Sequence, residues 1–93
     1  MIVKMKFKLG RIVSTPGAFE ALGEAGENGL IYLARHVNGD WGEICEEDRI
    51  ENEFSLDKHL RLMSVYKLKT GTTIWVITEA DRSVTTFLLP DEY

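Results

Sequence analysis

Residues 61–90 read RLMSVYKLKTGTTIWVITEADRSVTTFLLP. Three runs within this stretch, RLMSVYKL, TTIWVITEA and SVTTFLLP, are rich in the β-branched and aromatic residues that suit a pleated, half-buried surface. Lys69-Thr70-Gly71 and Ala80-Asp81-Arg82 separate them and have the composition of turns. Connections this short join antiparallel neighbours, so the stretch predicts a three-stranded meander. The middle run is apolar on both faces, with Ile74 and Val76 on one and Trp75 and Ile77 on the other. That pattern predicts a central strand with helices covering at least one face. Pro90 ends the last strand.

Upstream of the meander the pattern changes. Residues 2–9 alternate, with Val3, Met5, Phe7 and Leu9 on one side and Lys4, Lys6 and Lys8 on the other, which predicts a half-buried strand whose lysines protect an edge. Thr15-Pro16 predicts the start of a helix, threonine as the cap and proline at the first helical position. This helix carries Ala18, Phe19, Ala21 and Leu22 and is limited by Gly23 and Gly26. Asn28 predicts the cap of a second helix, Leu30 to Val37, ended by Asn38-Gly39. Asp40-Trp41-Gly42-Glu43 has capping-box spacing and predicts a third helix from Trp41 to about Ser55. In that helix Trp41, Cys45, Asp48, Asn52 and Ser55 would share one side. The expected architecture is α+β, in the order β-α-α-α-β-β-β, with helices packed on one face of an antiparallel sheet and the N-terminal strand at an edge. The 93 residues make a single domain, 1–93, without repeats or linkers.

Net charge is −4, but it is unevenly placed. Residues 1–13 carry Lys4, Lys6, Lys8 and Arg11 and no acid, whereas residues 40–53 carry seven acids against Arg49, a net of −6. The balance disfavours strong non-specific binding to nucleic acid, although the N-terminal strip remains able to touch phosphate. Cys45 is the single cysteine, so no intramolecular disulfide forms and a reducing, cytoplasmic setting is expected. One cysteine and two histidines cannot build a closed Cys/His zinc site, and no metal or cofactor is expected. No apolar run has the length of a membrane span, and the opening residues do not read as a signal peptide.

Four stretches carry a resemblance to known proteins: GRIVSTPGA (10–18), LARHVNGDWG (33–42), CEEDRIEN (45–52) and WVITEADRSVTTFLLPDEY (75–93). Together, from Gly10 to Tyr93, they resemble the small bacterial family called plasmid-related proteins. That resemblance implies a bacterial protein associated with mobile elements and implies no particular activity. At the level of fold alone, a helical half followed by a meander is similar to the barnase–EndoU–colicin–RelE-like ribonuclease domains, which place a His or an Arg–His pair near the helical half and basic and hydroxyl residues on the sheet.

The second resemblance implies metal-independent RNA cleavage, with His36 and Arg82 as catalytic candidates and Arg35 and Thr85 as substrate-binding ones. Histidine can act as base on a 2′-hydroxyl or as acid on the leaving oxygen, and arginine stabilises charge on the phosphorane. Each has a structural alternative. His36 suits the last turn of a helix, where it complements the dipole. Arg82 suits an ion pair with Asp48 that holds the third helix on the sheet. Trp41, Asp48 and Asn52 are read as a structural polar cluster, with a ligand pocket as the other reading. Cys45 is expected to be a buried core residue. The competing function is a non-catalytic module that binds a protein partner through the acidic helix 40–55 or an exposed sheet edge, as a monomer or weak dimer. Catalysis requires His36 and Arg82 to meet in one accessible cleft.

Overall fold

The structure is a computed structural model and describes residues 5–93. Strand β1 (Arg11–Ser14) leads into helices α1 (Pro16–Ala25), α2 (Leu30–Val37) and α3 (Glu46–Lys58), followed by strands β2 (Leu62–Lys67), β3 (Thr73–Thr78) and β4 (Val84–Leu88) and a short 3-10 turn, Pro90–Glu92. The class is the expected α+β. The sheet is four-stranded and mixed, in the order β1-β4-β3-β2, because β1 adds to the meander parallel to β4 while the other pairs are antiparallel.

The meander falls where the sequence places it. Trp75 stands beside Val65 on one side and Leu88 on the other. On the covered face Ala18, Ala21 and Leu22 of α1 and Tyr32 and Leu33 of α2 pack on Tyr66, Ile74, Val76 and Phe87. The α1 cap is as read: Thr15 Oγ1 accepts from Ala18 N–H, and Pro16 opens the helix. Helix α2 also has the expected span. Its immediate cap residue is Gly29, and the Asn28 carboxamide accepts from Leu30 N–H at 3.0 Å.

Two elements differ from the reading. Of the alternating stretch 2–9, residues 2–4 lie outside the described residues, and 5–9 form no strand. Lys6 N–H donates instead to Val37 O at 2.8 Å, and Phe7 stacks on Trp41 and meets His36 edge-on. The strand begins only after Gly10, whose φ of +66° turns the chain beside the Ser83 carbonyl. Of the alternating apolar residues described, Phe7 and Leu9 are half-buried while Met5 is exposed, and the ladder is supplied by Arg11–Ser14.

The third helix starts at Glu46, not Trp41. Residues 41–43 bind the edge of β2: Val65 N–H donates to Trp41 O at 3.0 Å and Glu43 N–H donates to Val65 O at 2.7 Å. Those groups cannot also serve a helix. Gly42 sits in this bridge at φ +77°, and a Cβ there would lie 2.0 Å from Val65 O. Cys45 consequently becomes the residue before the helix and is exposed, not buried. Asn52 seals the next stretch of the same edge. Its carboxamide donates to Met63 O at 2.7 Å and accepts from Met63 N–H at 3.2 Å, as a neighbouring strand would.

Gly42→Ala is expected to destabilise by about 2 kcal/mol or more, through both the backbone conformation and the overlap with Val65, which for a domain this size lowers Tm by roughly 10 °C. Thermal melts of the variant beside Gly39→Ala, which shares the positive φ (+83°) but whose nearest neighbour is the flexible end of Lys6, separate the overlap from the backbone strain.

Candidate functional site

The inward face of α2 consists of Tyr32, Leu33, His36 and Val37, whereas Leu30 and Ile31 face solvent. His36 is 0% exposed. Its Nδ1 lies 2.5 Å from Ser64 Oγ on β2 and its Nε2 lies 2.9 Å from Thr78 Oγ1 on β3. Thr78 Oγ1 is 2.7 Å from Thr85 Oγ1 on β4, and Thr85 Oγ1 donates to Leu9 O at 2.7 Å. Phe7 and Trp41 close over the imidazole ring edge-on.

The proton positions in this chain follow from its end. A carbonyl only accepts, so the Thr85 hydroxyl proton points to Leu9. Thr85 then accepts from Thr78, and Thr78 accepts from His36 Nε2–H. Nδ1 is left bare and accepts from the Ser64 hydroxyl. Every hydroxyl is used, and the imidazole is held as the neutral Nε2–H tautomer. Burial, reinforced by the nearby Arg82 charge, pushes the His36 pKa down to about 3. A neutral, fully enclosed imidazole whose two nitrogens are both engaged has no access to a substrate proton.

Arg82 lies at the other end of the same region and is similarly occupied. The residue adopts φ +61° in the β3–β4 turn, and its guanidinium reaches back to α3. Nη1 donates to Leu60 O at 2.7 Å and to the Glu79 and Ala80 carbonyls at 3.1 Å, and Nη2 donates to Ser55 O at 3.1 Å. It ties the C-terminal end of α3 to the β3–β4 turn, and desolvation lowers its pKa. The expected Asp48 partner is not involved: Arg82 binds carbonyls, and Asp48 is exposed. His36 and Arg82 are close enough to interact electrostatically, but His36 is fully enclosed and the Arg82 guanidinium is taken up by backbone carbonyls.

The remaining candidates separate. Arg35 forms a two-pronged pair with Asp40 at 2.7 and 3.3 Å and lies over the Tyr66 ring. This pair depresses the Asp40 carboxyl and anchors the residue once expected to cap α3. Thr85 is fully buried in the hydroxyl chain. Of Trp41, Asp48 and Asn52, the last two come together and the first stands apart: Asp48 and Asn52 line one shallow hollow with Glu51, Arg61 and Met63, whereas Trp41 is buried in the loop and donates Nε1–H to Glu53 at 2.9 Å.

The outward side of α3 was not singled out by residue in the sequence. Ile50 and Phe54, one turn apart, are 55% and 52% exposed and point opposite to the buried Asn52 and Ser55. Carboxylates of Glu46, Glu47, Glu51, Glu53 and Asp57 surround them on the same helix, with Glu46 paired to Arg49. The signal was available in the i, i+4 spacing of two large apolar residues on the side away from Asn52 and Ser55. Among the described residues, no group of three potential metal ligands is found and no helix is long and apolar enough to cross a membrane.

Two outcomes follow from this geometry. Folded His36 titrates below its unfolded value of about 6.5, so the unfolded chain binds a proton first and stability falls as pH drops from about 6.5 toward 3. The loss approaches about 1.4 kcal/mol per pH unit in that window and is absent in His36→Gln, as chemical denaturation at stepped pH would measure. Arg82→Met is expected to lower stability by about 2–3 kcal/mol, and Asp48→Ala to leave it nearly unchanged, in paired thermal melts. Comparison of this chain with protein-family models, with curated proteins and with solved structures finds no match in any of the three.

Proposed function

We infer that the protein is a non-catalytic interaction module that presents the outer face of α3 to a basic protein surface. One observation carries this reading: Ile50 and Phe54 stand exposed on a helix otherwise covered in carboxylates. Isolated charges on a helix are explained by solvation. Two large apolar side chains a turn apart, opposite the buried side, leave more than half of their surface to solvent. A complementary partner offers an apolar cleft rimmed by lysine or arginine, in which the apolar pair supplies affinity and the acids supply orientation and association rate. RNA cleavage is the weaker reading, because it rests on His36 and Thr85, both fully enclosed.

The module reading fits a bacterial, cytoplasmic, plasmid-related protein. The free, exposed Cys45 thiol suits a reducing compartment. An acidic helix acting there would compete for a basic surface that otherwise holds phosphate.

Selection of helical peptides from a display library on the immobilised protein is expected to enrich leucine or phenylalanine at helical spacing among lysine and arginine. The affinity of the selected peptides should fall about ten-fold or more in the Ile50→Ala/Phe54→Ala double variant, whose melting temperature should stay near that of the parent. Selected peptides that bind the double variant equally well would show that α3 is not the docking face.

A further inference from the structure

The two edges of the sheet are finished differently. At the β2 edge, residues 41–43 and the Asn52 carboxamide occupy the backbone groups of Val65 and Met63. The other edge is β1, whose neighbour in the sheet is β4. Arg11 and Thr15 donate their N–H groups to the Ser83 and Phe87 carbonyls on the β4 side. Alternation therefore turns the N–H and C=O groups of Ile12 and Ser14 outward, and among the described residues these groups have no partner. The Ile12 side chain is 51% exposed. Neither Ile12 nor Ser14 is a charge or a proline that would discourage pairing, and Lys6 and Lys8 precede Gly10, outside the ladder. Arg11 is the charged residue of the strand, and among the described residues it forms no ion pair.

We propose that β1 pairs antiparallel with β1 of a second copy about a two-fold axis at Val13, joining the two sheets edge to edge. In that register Ile12 of each copy lies opposite Ser14 of the other, and their outward N–H and C=O groups are exchanged as hydrogen-bonded pairs. Neighbouring registers are poorer. Centring the pair on Ser14 sets Ile12 against Pro16, which has no N–H, and centring it on Ile12 sets Ser14 against Gly10, where φ of +66° turns the chain away. Charge selects a second copy as the occupant. With the axis at Val13, Arg11 falls opposite Thr15 in a closely spaced, non-hydrogen-bonded pair, and Thr15 is still extended at φ −70° and ψ 156°. Thr15 Oγ1 donates to Glu92 Oε1 at 2.5 Å, and Gly17 N–H donates to Glu92 Oε2 at 3.1 Å. A fixed carboxylate thus stands where the unpaired guanidinium of the other copy arrives, and symmetry repeats the contact. The pairing involves a short strand, so the dimer is weak and reversible. Because β1 and β2 are opposite edges of the sheet, the dimer leaves α3 uncovered in both copies. The pairing does not depend on what α3 binds.

The test is sedimentation equilibrium of the full chain from about 10 µM to about 1 mM, where a reversible monomer–dimer equilibrium is expected. Ile12→Pro removes an outward N–H without touching the β4 ladder and should leave monomer alone, with a melting curve taken at the dilute end as the control for folding. Arg11→Glu should weaken association about ten-fold, since it faces Glu92 of the other copy with a like charge. In the parent protein, amide exchange at Ile12 and Ser14 should slow as concentration rises, a reading that needs no variant to fold. The Ile50→Ala/Phe54→Ala variant should dimerise as the parent does, which keeps this result apart from the α3 reading. Monomer throughout the concentration range overturns the proposal, as does a dimer that survives Ile12→Pro or ignores Arg11→Glu, or exchange at Ile12 and Ser14 that is indifferent to concentration.

Discussion

The hydrogen-bond chain through Ser64, His36, Thr78, Thr85 and the Leu9 carbonyl joins α2, three strands and the segment before β1 inside the core. Polar groups at such depth are tolerated only when each has a partner, and no buried side-chain nitrogen or oxygen among the described residues lacks one. A single direction of proton donation satisfies the whole chain. The chain therefore specifies the relative placement of its elements more narrowly than apolar packing does, since a shifted register would leave an unpaired hydroxyl or imidazole. The same arrangement makes the one histidine suggestive of catalysis an internal strut.

The edge of β2 poses a related problem of unpaired backbone groups, and two different devices meet it. Residues 41–43 act as a short parallel partner at Val65, and the Asn52 carboxamide takes the place of a peptide group at Met63. Both devices draw α3 against the sheet edge, and Arg82 ties the far end of the helix through the Ser55 and Leu60 carbonyls. With its inner side committed to backbone hydrogen bonds, α3 directs its carboxylates, Ile50 and Phe54 outward. The acidic outer face of α3 is thus a consequence of how the sheet edge is closed.

Charge is divided accordingly. Five of the seven acids of residues 40–53 (Glu46, Glu47, Asp48, Glu51 and Glu53) lie on α3 beside the β2 edge, while the strand positions on the sheet face away from α1 and α2 carry only basic, apolar and hydroxyl residues. The net charge of −4 thus combines an acidic helix with strand positions that carry none of the acid. The overall charge describes neither surface.

Much of the fold was legible locally. The meander, the Thr15-Pro16 helix start and the span of α2 depend on side-chain alternation, cap chemistry and glycine placement within a few residues of one another. The places where the reading departed all involve distant backbone. Trp41–Glu43 has capping-box spacing but pairs with Val65, and residues 5–9 alternate but run without a ladder because Lys6 bonds the end of α2. The site was less legible. The spacing of His36 after Tyr32 and Leu33 marks an inward position, and the alternation of β2, β3 and β4 sets Ser64, Thr78 and Thr85 on the core face. Nothing in that spacing says that the four meet. Sequence by itself determined the α+β class, the three-strand meander and the concentration of acid in residues 40–53, because these follow from local periodicity and composition. Tertiary structure alone decided that His36 is enclosed, that Arg82 binds carbonyls and not Asp48, and which faces remain open, because each depends on groups brought together across the chain.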